Sequence, residues 1–309
     1  MPEVDLGRLC GLFGCTRQAY YAALKRGEEV NFGHDLILES VRDIRKDLPK
    51  VGVRKLCVML SEALSSGGIK LGRDGLFDLL RTEGLPVRNK KRTTKTTHSR
   101  LGDHEYPNLT IGLTSTSAGR LWVADITYIA VKDDFIYLFL ITDAYSRKII
   151  GYCLSESLKT EGCLTAPRMA KKQWTPVEGV KLIHHTDGGR QYSSDIYVET
   201  LGSDIAISMT ENSDSRENAT AERVNGILKG EWLDDMKPVD LKQSLPIVMG
   251  VINKYNTLRP HGGCDMLTPE QAHLRTGELK KHWTNYYKVW KEKQDLEQTM
   301  ETTKREMSL

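Results

Sequence analysis

The chain has 309 residues, long enough to bury a sizeable core and to divide into several structural units. At 39% hydrophobic and 28% charged residues it has the composition of a soluble globular protein. No apolar run reaches the roughly 20 residues that a membrane helix needs, and the net charge of +3 names no partner by itself. The N-terminus, Met1-Pro2-Glu3-Val4-Asp5, lacks the basic-then-apolar layout of a signal peptide, so a cytoplasmic location is expected. The six cysteines show neither Cys-x-x-Cys pairs nor zinc spacing, and reduced thiols are expected.

In chain order, residues 6–26 read as helix, tight turn, helix. Leu6, Leu9 and Phe13 recur at helical spacing, Gly14 can end the first helix, and Thr16 can N-cap the second. Arg17 and Gln18 then open the second helix, where a helix-turn-helix unit offers its first residues to a DNA groove. An ordinary helical hairpin has the same pattern. A first unit over 1–33 is expected, followed by a second helical unit over 34–87. That second unit has an amphipathic helix through Leu36, Ile37, Val41, Ile44 and Leu48, another from Val53 to Leu64, and a third from Leu71 to Glu83. Arg54, Lys55 and Arg73 decorate its polar faces as candidate DNA contacts. Residues 88–117 read as a basic linker. Arg88, Lys90, Lys91, Arg92, Lys95 and Arg100 fall there with no acid between Arg88 and Arg100, a pattern able to track phosphates.

The texture changes near residue 119. Leu121–Val131, Phe135–Thr142 and Arg147–Leu154 are rich in β-branched and aromatic residues, and their short turns predict an antiparallel meander. A helix over Thr160–Gln173, a strand over Val180–Thr186, a helix over Ser193–Leu201, a strand over Ile205–Met209 and a long helix over Ala219–Met236 follow. The order β-β-β-α-β-α-β-α predicts an α/β core over 118–237 with a mixed five-stranded sheet and flanking helices, as in ribonuclease-H-like folds. Residues 238–309 form a C-terminal helical region. There Val289, Leu296, Met300 and Met307 make one helical stripe, readable as a short oligomerisation helix or as a solvated tail.

Three carboxylates stand out in the core. Asp125 interrupts an apolar strand, where a carboxylate is costly without a cation or a hydrogen-bonding partner. Asp187 ends a strand and precedes Gly188-Gly189, a turn that lets a substrate backbone approach. Glu222 lies in the first turns of the long helix. Together they are hard oxygen ligands suited to Mg²⁺ or Mn²⁺, and two such ions can clamp the oxygens of a phosphodiester. Lys229 falls two helical turns after Glu222 on the same face, where it can contact a DNA phosphate. A solvated helix lysine has the same spacing.

The interval from Asp187 to Glu222, with Lys229 beyond, resembles the DDE signature of retroviral integrases and bacterial insertion-sequence transposases. The flanking words are similar too: Trp122-Val123-Ala124-Asp125-Ile126-Thr127-Tyr128, His185-Thr186-Asp187-Gly188-Gly189 and Asn218-Ala219-Thr220-Ala221-Glu222-Arg223. Tyr255-Asn256-Thr257-Leu258-Arg259-Pro260-His261 and Leu267-Thr268-Pro269-Glu270 extend the likeness, which runs from about residue 6 to 275. Through these words the chain resembles the OrfB-type transposases of the insertion sequence 3 family. The resemblance implies that Asp125, Asp187 and Glu222 are catalytic metal ligands, with Mg²⁺ or Mn²⁺ as cofactor. It implies that Lys229, His185 and Asn218 belong to the DNA-binding set. It further implies double-stranded DNA as partner (terminal inverted repeats and target), a homo-oligomer on paired ends, and a copy-out, paste-in route. The zinc-binding His/His/Cys/Cys domain of retroviral integrases is absent, and no long heptad run precedes the core. Two other readings are a nuclease of RNA–DNA hybrids, against which the N-terminal helical units speak, and a DNA-binding derivative without catalysis, against which the complete triad speaks.

Overall fold

The computed structural model describes residues 16–87, 106–132, 134–176, 179–211 and 217–282, with positions 6, 10, 14 and 294 standing alone. Arg88, Lys90, Lys91 and Arg92 of the basic linker lie outside the described residues, as does the C-terminal stripe of Val289, Leu296, Met300 and Met307.

The first units depart from expectation. Leu6 and Cys10 are helical, Gly14 turns at φ +66, and the Thr16 side chain accepts from the Ala19 amide to cap α1. But α1 runs without a break from Arg17 to Asp47, so the boundary placed at residue 33 falls inside a helix. Gly33 would weaken an isolated helix; here it is buried against Ile69, and tertiary packing overrides the propensity. The helix expected over Val53–Leu64 is split at Leu60 into α2 (Val53–Met59) and α3 (Ser61–Ser66), and α4 spans Arg73–Thr82.

Strands β1 (Leu121–Ala130), β2 (Phe135–Asp143) and β3 (Ile149–Ser155) form the antiparallel meander. After α5 (Thr160–Cys163) and α6 (Thr165–Gln173), β4 (Leu182–Thr186) pairs parallel with β1. After α7 (Arg190–Ser193) and α8 (Asp195–Leu201), β5 (Ile205–Met209) pairs parallel with β4. The sheet order is β3-β2-β1-β4-β5, the mixed sheet of a ribonuclease-H-like fold. The long helix is α9 (Ala219–Leu228), a π turn over Lys229–Leu233 and a short α10 (Asp234–Met236). The chain continues with α11 (Leu241–Thr257) and α12 (Pro269–His273).

Side-chain alternation along the strands sorts two cores onto the two faces of the sheet. Trp122, Ala124, Phe139 and Ile141 pack with α6 and α8 residues such as Ala170 and Leu201. Ile129, Ile136, Leu138 and Leu140 pack on the other face with Val224, Trp232 and Val251, and this cluster continues into Val41, Leu56 and Leu76 of the N-terminal helices. Residues 34–87 therefore share one apolar core with the sheet. Polar contacts pin the join at the π turn: Trp232 Nε1 donates to the Asp47 carbonyl (2.8 Å), and Lys50 donates to the Gly230 carbonyl (2.8 Å) and pairs with Asp235.

The Tyr-Asn and Arg-Pro-His words prove to be structural fasteners. Asn256 at the end of α11 bonds both main-chain groups of Ile149 (3.0 and 2.9 Å), completing the outer edge of β3. Buried Arg259 grips Glu231 of the π turn with two bonds (2.6 and 2.5 Å) and lies over the ring of fully buried Tyr255. Thr268 and Gln271 form a capping box that starts α12. The five described cysteines are free thiols. No helix among the described residues is long and apolar enough to cross a membrane.

Helix α6 sits unusually close to β3. A Cβ built on Gly151 would stand 2.2 Å from the Ala166 carbonyl oxygen and 3.3 Å from Ala170 Cβ. Backbone cannot yield as a side chain can. Gly151→Ala is therefore expected to destabilise the chain by about 1–3 kcal/mol or more, read as a lowered urea midpoint; an unchanged midpoint would contradict this contact.

Candidate carboxylate site

Asp125 lies on the inner strand β1, on the face that receives α9. Its Oδ1 accepts from the Ile126 amide (2.9 Å) and its Oδ2 from Asn225 Nδ2 (2.7 Å). The parallel ladder ends at Val123 opposite His185. Asp125 and Asp187 each lie two residues beyond that last pair, close enough for the charge of Asp187 to act on Asp125.

The residue Asp125 is half-buried, but its carboxylate is crowded by protein on most sides. Burial, and then the negative charge of Asp187, push it up to about 7; Asn225 and the Ile126 amide oppose this, and Glu222 adds to it. Burial also raises Asp187, against a hydrogen bond from the Gly189 amide. A side chain at Gly189 would crowd Asp187, since its Cβ would stand 3.2 Å from Oδ1. The glycine leaves that oxygen open to a ligand. Its φ of −69 is ordinary, so clearance is its contribution and backbone freedom is not.

Glu222 is exposed in the first turns of α9 and acts electrostatically on Asp125. As placed, no three His, Cys, Asp or Glu side chains among the described residues converge tightly enough to hold a metal ion. The structure thus brings Asp125 and Asp187 together and leaves Glu222 at the rim. Helix α9 is regular through Leu228, so the two-turn separation from Glu222 to Lys229 holds up to the residue where the π turn begins. Lys229 is partly exposed.

The remaining candidates divide by exposure. Arg17, Gln18, Arg54 and Arg73 are exposed, although Arg73 pairs with Asp74 (2.8 Å). Three residues are not free surface contacts. His185 is fully buried and shares a hydrogen bond with Ser208 (2.9 Å), because its position in β4 turns it into the protein. Asn218 is buried and donates to the Ala124 carbonyl (2.8 Å), fastening the start of α9 to β1. Lys55 is largely buried near Glu231 (3.8 Å) and is pushed down to about 8 by burial and then by Arg259. His185 and Asn218 are engaged in packing on the sheet, and Lys55 is held near the π turn.

Two functional neighbours were missed. Asn225 follows Glu222 by three positions, and that spacing alone puts it on the same helix face. Arg147 sits at φ +66 in the β2–β3 turn, where it donates to the Ala144 carbonyl and to Thr220 Oγ1 (3.0 Å) and so steadies the first turn of α9. Nothing in the sequence marks that long-range bond.

Residues 115–214 match the family model described as integrase core domain, and residues 203–269 match a second model of the same description. The "uncharacterized 31 kDa protein" of insertion element IS600 from Shigella sonnei is 30% identical over 267 residues, covering 84% of this chain and 96% of its own length. Transposase InsF for insertion sequence IS3fB from Escherichia coli K12 is 22% identical over 87% of this chain and 94% of its own. Among solved structures, the HTLV-2 integrase catalytic core domain in complex with magnesium (trimeric form) aligns with a TM-score of 0.41 at 20% identity, over 52% of this chain and 99% of that one.

The raised Asp125 has a pH signature in chain freed of metal by a chelator. Folded Asp125 keeps its proton up to about 7, and the unfolded group only to its ordinary 3.8. The folded state therefore binds the extra proton between these values, and stability falls as pH rises through that window. Asp125→Asn lacks this loss. It is expected to melt higher than the parent at about pH 8, with the advantage closing toward about pH 4; melting curves with identical pH dependence would contradict the buried-carboxylate assignment.

Proposed function

The chain belongs to the insertion-sequence transposases with an integrase core domain, enzymes of the DDE class, and on that premise we propose that Asp125, Asp187 and Glu222 hold divalent metal for cutting and joining DNA. The observation that supports this reading is the closeness of Asp187 to Asp125, where burial and then the charge of Asp187 push the Asp125 carboxyl up to about 7. Such a pair is relieved by a cation. The donor set fits Mg²⁺ or Mn²⁺, being all carboxylate oxygen, and Asn225 leaves its amide oxygen buried without a partner beside it.

Asp125 and Asp187 would hold the metal from adjacent strands, with Glu222 supplying the third carboxylate from its exposed helix turn. When bound, divalent ions favour ionisation of the attacking hydroxyl and neutralise charge on the phosphate. Asn225 fixes the orientation of Asp125, and Gly189 leaves room beside Asp187 for a phosphodiester. Lys229 would contact a phosphate oxygen. In nicking, a water oxygen bonds to phosphorus as the 3′-oxygen departs on the opposite side. In joining, the freed 3′-hydroxyl forms the new bond in the same in-line manner and no protein–DNA bond is made. Terminal inverted repeats and target DNA are the partners in this reading, with a homo-oligomer on paired ends and a copy-out, paste-in route.

Asp187→Ala and Glu222→Ala are each expected to lower metal-dependent nicking and strand transfer on an end-sequence duplex by at least about a hundredfold. Full strand transfer by either variant would sink the proposal. A second readout needs no DNA: Mg²⁺ or Mn²⁺ should raise the melting temperature of the parent chain and leave that of Asp125→Asn unmoved.

A further inference from the structure

Helix α9 has a second face. Asn225 reaches Asp125 in the sheet and Glu222 stands exposed at the rim, whereas Thr220, Arg223 and Ile227 lie on the opposite side and line a cleft of about 1230 Å³, with Val224 between the cleft and the sheet. Its other walls come from α2 and α4 of the N-terminal unit and from the segment after α11. Arg54, Arg73, Arg147, Arg223 and Arg259 all line it, with Arg45 and Lys55 deeper in, against a single lining carboxylate, Asp74.

Part of this charge is already neutralised. Glu231 pairs with Arg259 and lies near Lys55, and Asp74 pairs with Arg73. The remainder is not. Two nitrogens of Arg45, Nε and Nη2, are buried without a hydrogen-bond partner. Arg54 and Arg223 are exposed, with no acidic partner within salt-bridge distance among the described residues. The positive field registers on His261, which is pushed down to about 2 by burial and then by Arg259, Arg147, Lys55 and Arg223. A polyanion is the complementary ligand.

The cleft also has an apolar side. Phe77 stands 46% exposed on α4 while its neighbours Leu76 and Leu80 are core residues. Val53, Pro86, Val87 and Met266 continue the apolar lining. Cations beside an exposed aromatic ring are the elements of a surface that stacks bases and holds a single backbone. Size agrees. The cleft only slightly exceeds a drug-sized pocket of about 300–1,000 Å³. It has room for a few nucleotides of one strand. The chain leaving Val87 runs into Arg88, Lys90, Lys91 and Arg92, which carry the same sign as the cleft and are poor occupants of it.

We propose that this cleft binds an unpaired DNA strand a few nucleotides long, on the far side of α9 from the carboxylates. The helix between the two sites is about 10 Å across. A flexible strand can round its N-terminal end, where Glu222 is exposed, and reach both sides; a stiff duplex cannot. The choice of DNA as ligand rests on the function proposed above, and the geometry of the cleft does not.

The test is equilibrium binding by the full chain, without divalent ion, to a fluorescent short oligothymidylate and in parallel to a fluorescent duplex. The parent chain should bind both. Phe77→Ala and the charge reversals Arg54→Glu and Arg223→Glu stand on different walls at exposed positions, so the fold is preserved, as circular dichroism would verify. Each should weaken oligothymidylate binding by about tenfold or more, and Phe77→Ala, which alters no charge, should change duplex binding by less than about twofold. Unchanged single-strand affinity in all three variants, an equal loss for both ligands in Phe77→Ala, or no single-strand binding by the parent overturns the proposal. Because no cleavage is read, a chain inactive in strand transfer is still scored, and failure of the chemistry is distinguishable from failure of the cleft.

Discussion

A carboxylate held inside the sheet with too few donors is the constraint around which this structure is arranged. Asp125 accepts two hydrogen bonds, one from its neighbour's amide and one from Asn225. Asp143, also in the sheet and fully buried, accepts four, from the Gly119, Tyr145 and Ser146 amides and the Ser146 hydroxyl. The two carboxylates differ in how fully they are hydrogen-bonded. Asp143 is saturated and closes a turn; Asp125 is left short of partners beside a second carboxylate, and α9 is placed over it.

The position of α9 is over-determined. Asn218 ties its start to the Ala124 carbonyl, Arg147 reaches Thr220, and Asn225 reaches Asp125 itself. Three bonds, two to β1 and one from the β2–β3 turn, leave the helix little freedom to slide along β1. A shift of one residue would swing Glu222 about 100° around the helix axis. The π turn that follows is where the rest of the protein joins. Glu231, Gly230 and Trp232 receive Arg259 from beyond α11, Lys50 from the N-terminal unit and the end of α1. A π turn widens the helix and commonly marks a functional segment. Here it presents successive residues to partners on different sides.

This arrangement changes what the N-terminal helices are. Their pattern suggests modules strung along a chain, yet residues 34–87 share a continuous apolar core with one face of the sheet. Arg54 and Arg73 are therefore held in a set relation to the carboxylates. The first helical unit keeps its Thr16 cap and exposed Arg17 and Gln18, but its second helix is the same α1 that feeds the core. Arg17 and Gln18 are thereby joined to the core through one continuous helix.

The sequence by itself determined the order of strands and helices, the meander, the three candidate carboxylates and the cap at Thr16. All of these depend on residues close together in the chain, where hydrophobic period, β-branching and side-chain-to-backbone bonds act locally. It did not reveal that α1 is continuous, that His185, Asn218 and Lys55 are taken up by packing, or that Arg147 reaches Thr220. The boundary expected at residue 33 falls inside that helix, where Gly33 is buried against Ile69. Only the tertiary structure decided that Asp125 and Asp187 come close enough to interact, because the pairing of β1 with β4 joins strands about 60 residues apart. The cleft behind α9 belongs to the same class. Its walls come from three separate stretches of chain, and only the long-range packing of the helices on the sheet brings them together.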